Sequence, residues 1–126
     1  GKRYRLRVHE QDAPARVAIR GLATLDLFVR PGTTADQREA VLLRWHREQL
    51  KSLIPPLLEK WQPVLGVQAT AWGVKKMKTK WGSCNPASRA IRLNTDLAKK
   101  PSECLEYIVV HELCHLHQAD HLRADQ

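Results

Sequence analysis

Tyr4, Leu6 and Val8 are spaced by two with arginines between them, Val17 and Ile19 repeat the alternation, and Leu25, Leu27 and Val29 continue it. A period of two with one apolar side is the pattern of half-buried β-strands. Gly21 punctuates the second and third runs and Pro31-Gly32 ends the third, so the pattern predicts a three-stranded antiparallel opening. The period then changes. Thr34, followed three residues later by Gln37, has the form of a capping box, and Val41, Leu42, Trp45, Leu50, Leu53 and Ile54 recur at helical spacing behind it. Pro55-Pro56 predicts a break or kink, after which Leu57, Leu58, Trp61 and Leu65 carry an apolar face to Gly66.

Residues 67–77 and 90–94 read as two further strands, the second with Ile91 and Leu93 on one side and Arg92 on the other. The segment between them, 78–89, contains Gly82, Ser83, Asn85 and Pro86 and reads as a loop. Pro101 suits the first position of a helix, and Glu103 and Glu106 suit its positive end. That helix is expected to run through His117. No linker or repeat interrupts the chain, which predicts a single α+β domain over 1–126, and a start at Gly1 rather than Met suggests a piece of a slightly longer chain.

Composition changes this picture in three ways. No run approaches the roughly 20 apolar residues of a spanning helix, so a membrane span is not expected. Cys84, Cys104 and Cys114 are odd in number and lack CxxC spacing, which favours a reducing, cytoplasmic setting over a disulfide scaffold. The net charge is +8, and it is local, since over 60–100 lysines and arginines face one acid, Asp96. The basic stretch 75–100 would suit a nucleotide or nucleic acid as partner.

The chemistry concentrates in the last helix, which carries His111-Glu112-Leu113-Cys114-His115, an HExxH motif. At about 100° per residue the two histidines lie roughly 40° apart and one turn apart, so both rings can reach one metal ion. Glu112 sits beside the first of them and is the candidate general base for a water activated by that metal. Leu105, Val109, Leu113 and Leu116 share a different face, which predicts packing on one side and ligands on another. A catalytic zinc usually has a third protein ligand. His117 points away from His115 on a continuing helix. His121 works if the chain turns back after about Gln118, with Asp120 supporting the turn, and a carboxylate or His46 are the alternatives. Trp81 is expected as a core anchor, Cys84 as a small buried hydrophobe and Cys114 as packing.

Three segments, MKTKWGSC at 77–84, RLN at 92–94 and YIVVHELCHL at 107–116, together resemble the YgjP-like metallopeptidase domain of small zincins, which is related to SprT-like proteins. The resemblance implies a minimal zincin-like fold, with an antiparallel or mixed sheet packed on a scaffold helix and the HExxH helix. It also implies one Zn2+ per chain on His111, His115 and His121, with Glu112 catalytic. The expected substrate is a peptide or protein, and 90–94 would be the sheet edge beside the metal helix. The family's pattern has Asn before its third histidine and Ser with an aromatic pair after it, where this chain has Asp120 and then Leu122 onward. The rival functions are a metal-dependent phosphohydrolase acting on nucleotides and a nucleic-acid-binding module with a basic surface.

Overall fold

The structure, a computed structural model, describes residues 4–21 and 23–124. The chain forms two compact units, Lys2–Glu48 and Gln49–Gln126. Their elements follow in the order β1 Arg5–Glu10, β2 Arg16–Arg20, β3 Thr24–Val29, α1 Ala35–Leu65, β4 Ala71–Lys75, β5 Gly82–Asn85, β6 Ala90–Asn94 and α2 Ser102–Ala124. A short 3-10 helix, Thr95–Lys99, precedes α2.

In the first unit β3 lies between its two neighbours, parallel to β1 and antiparallel to β2. The opening sheet is therefore mixed rather than antiparallel throughout. The reason lies in β3 itself: Leu25, Leu27 and Val29 are buried, whereas Leu6, Val8 and Ile19 on its neighbours stay exposed. The most apolar strand takes the central place. It also buries Asp26, which His9 meets from β1 at 2.9 Å and Arg20 from β2 at 3.2 Å, so the carboxylate is paired from both sides. His9 is thereby accounted for as an ordinary polar residue. At the start of α1 the capping box is reciprocal: Thr34 N–H donates to Gln37 Oε1 at 2.9 Å, and Gln37 N–H donates to Thr34 Oγ1 at 3.2 Å.

α1 continues through Pro55 and Pro56 to Leu65, where Gly66 takes a φ of 66° and ends it. Of the break or kink expected at the prolines, the break does not occur. Each proline forfeits a helical hydrogen bond, but Leu50, Ile54 and Leu58 sit one turn apart on the face that enters the core of the second unit, and their burial needs the helix intact. That core joins them to Val74, Ile91 and Leu93 of the sheet and to Leu105, Val109, Leu113 and Leu116 of α2.

The second sheet has the order β4-β6-β5, with β4 parallel and β5 antiparallel to β6. Two expectations change here. β6 is the central strand, not the edge, and the segment read as a loop contains the edge strand β5, paired through Cys84 opposite Ile91 and Gly82 opposite Leu93. Turn-forming residues at 82–86 masked a strand whose partners lie elsewhere in the chain.

Candidate metal centre

α2 sorts its residues as its periodicity predicts: Leu105, Val109, Leu113 and Leu116 are buried, and His111 and His115 are exposed on another face. The His111 and His115 Nε2 atoms stand 3.1 Å apart, and the rings are edge to face. In a metal-free protein one nitrogen donates its N–H to the other. Two zinc–nitrogen bonds of about 2.05 Å at a tetrahedral angle would place the nitrogens about 3.3 Å apart, so this pair fits a divalent ion as two of its ligands. The Tyr107 ring stacks on that of His111, with centroids 6.0 Å apart.

Glu112, between the histidines in sequence, is only 6% exposed. Burial pushes its carboxyl above the usual range, and His111, His115 and Lys80 pull it back down. Cys84 stands across from it, and burial followed by the Glu112 charge pushes that thiol up. A thiol so placed is held protonated and is not primed as a nucleophile.

β5 comes this close because residue 82 is glycine. A Cβ there would lie 2.6 Å from Ile108 Cγ2 and 3.0 Å from Glu112 Oε2. Asn94 secures the approach just ahead of Gly82. It is buried, its Nδ2 donates to the carbonyls of Met77 at 2.9 Å and Lys80 at 2.8 Å, and its Oδ1 caps Asp96 N–H. One side chain thus pins the segment leading into β5 and opens the 3-10 helix. The cleft so formed, about 550 Å³, is walled by Lys80, Trp81, Ser83 and Cys84 opposite His111, Glu112 and His115. Trp81 is 43% exposed at its rim, so it is no core anchor. Cys114, expected to pack, is likewise exposed.

The structure does not bring His121 to this pair. α2 continues to Ala124 without the expected turn after Gln118, and ten residues of helix separate His111 from His121 by about 15 Å along the axis. The His121 ring lies 4.2 Å from that of His117. Asp120 supports no turn either. It pairs with Arg89, whose other nitrogen donates to the Gln68 carbonyl at 2.8 Å. Among the described residues no group of three or more His, Cys, Asp or Glu side chains is gathered to hold a metal ion. The sequence pattern did not mark Asn94 as a site-building residue. An asparagine closing an apolar strand was the available signal.

Compared with known families, the chain matches the one described as YgjP-like, metallopeptidase domain, over residues 1–124. No curated protein and no solved structure matches it.

Proposed function

The chain belongs to the YgjP-like metallopeptidase domain family, and from that premise we propose that it is a zinc-dependent peptidase with His111 and His115 as ligands and Glu112 as general base. Family membership itself points to a metal-dependent hydrolase. The observation that carries the finer reading is the convergence of two Nε2 atoms at 3.1 Å beside a buried carboxylate in the wall of a cleft. Imidazole donors suit zinc, one ion per chain. Bound there, it would lower the pKa of a water and polarise the scissile carbonyl.

The remaining work falls to the chain's own groups. Glu112 accepts a proton on its carboxylate and returns it to the leaving amine. Gly82 and Asn94 fix the opposite wall. β5 is an edge strand on that wall, a placement that suits main-chain pairing with an extended peptide. His121 joins the ligand set only if α2 unwinds after about Gln118, which removal of its side chain tests through metal content.

Zinc-supplied protein is to be compared with Glu112→Gln on casein and on peptides. The variant is expected to keep its metal and to lose about 100-fold or more in turnover, the usual weight of a general base. Unchanged hydrolysis would remove Glu112 from the reaction. A second reading, hydrolysis of a nucleotide phosphoanhydride, is favoured by Lys80 in the cleft wall. Phosphate release from nucleotides without peptide cleavage would establish it instead.

A further inference from the structure

Beside the metal cleft lies a second hollow of about 630 Å³, lined by Trp81, Leu97, Cys104, Tyr107 and Ile108. Trp81 and Ile108 line both. We propose that this hollow receives a large apolar side chain, aromatic or leucine-like, of a peptide substrate at a residue adjoining the bond that is cut. The proposal rests on the peptidase reading above and names the substrate feature that reading leaves open.

Three observations carry it. The first is continuity. Ile108 stands one helical turn before Glu112 and three residues before His111, so a chain lying in the cleft has only the shared Ile108–Trp81 wall between its reacting carbonyl and the hollow. The second is the exposure of the lining. Tyr107 is 67% exposed and Trp81 43%, and two large aromatic side chains left open around one concavity gain by covering each other with a ligand. The third is charge. Lys100 and Glu103 at the hollow carry opposite signs, and Lys100 Nζ lies 5.5 Å from the Trp81 ring centroid, so no net charge invites an ionic side chain. A charged side chain entering among Leu97, Cys104 and Ile108 would lose hydration that pairing with Lys100 or Glu103 at an open surface offsets only in small part.

Four otherwise identical capped peptides carrying phenylalanine, leucine, glycine or aspartate at one position serve as probes. They are titrated calorimetrically against zinc-supplied Glu112→Gln protein. In parallel, cleavage sites made by the wild-type protein in a mixed peptide library are mapped by mass spectrometry. The phenylalanine and leucine peptides are expected to bind about ten- to two-hundredfold more tightly than the glycine and aspartate peptides. Cys104→Trp, which fills the hollow, should abolish the difference. Tyr107→Ala, whose zinc content is measured alongside because the ring also stacks on His111, should weaken it. Equal binding of the phenylalanine and glycine peptides, or a preference untouched in both folded variants, overturns the proposal. Cleavage without residue preference overturns the pocket and leaves the peptidase standing. Selective binding without cleavage by the wild type leaves the apolar pocket standing and removes the peptidase.

Discussion

A methyl group on residue 82 would meet Ile108 Cγ2 at 2.6 Å and Glu112 Oε2 at 3.0 Å, so glycine sets the distance between the edge strand and α2. Gly82→Ala is expected to lower stability by about 1–3 kcal/mol, the usual range for overpacking, and to reduce hydrolysis while metal is retained. Thermal melts, metal analysis and turnover on one preparation check this, and an unchanged melt would show that Ile108 yields freely. At this scale the histidine pair and Glu112 were legible, because helix periodicity alone puts them on a face apart from Leu105, Val109, Leu113 and Leu116. Gly82 permits a close backbone approach, but nothing local in the sequence names Glu112 as what it approaches. Trp81 was misread because size suggests burial, whereas 43% of it is exposed at the cleft rim.

Among the elements, α1 and α2 are tied together in the second unit by Glu106, which accepts from Trp61 Nε1 at 2.8 Å and Lys60 Nζ at 2.9 Å. Those bonds, the Trp61 one foremost, hold its carboxyl below the usual glutamate range. The fold therefore favours the ionised form. Its contribution is fully present above the ordinary glutamate pKa of about 4.3 and is lost as pH falls through the lowered value. The melting-temperature gap between wild type and Glu106→Gln should accordingly be widest near neutrality and close as pH falls through the lowered value. A gap that persists at low pH would mean that packing, not charge, is lost in the variant. Element boundaries were legible where the signal is local, as at the Thr34–Gln37 box and at Gly66. They were illegible where distant packing decides. Core contacts of Leu50, Ile54 and Leu58 carry α1 through its prolines, and pairing with β6 makes a strand of 82–85.

For the molecule as a whole, the α+β class was readable from the change of hydrophobic period, while strand order was not. Both sheets put the latest strand in the middle, β3 and β6, and nothing in the alternation of a single strand records its neighbours. Among the described residues no helix is long and apolar enough to cross a membrane, as the absence of a long apolar run implied. Least legible was the end of α2: placing His121 beside the histidine pair needs a turn after about Gln118, and α2 runs straight past it. Metal binding by His111 and His115 is best checked by elemental analysis of zinc-supplied protein beside His111→Ala, His115→Ala and His121→Ala. Loss of metal in His121→Ala would require the helix end to unwind on binding, and retention would place any further ligand elsewhere. About one zinc per chain is expected in the parent, with its loss in both His111→Ala and His115→Ala; a parent that takes up no zinc, or variants that keep it, would rule out metal binding by this pair.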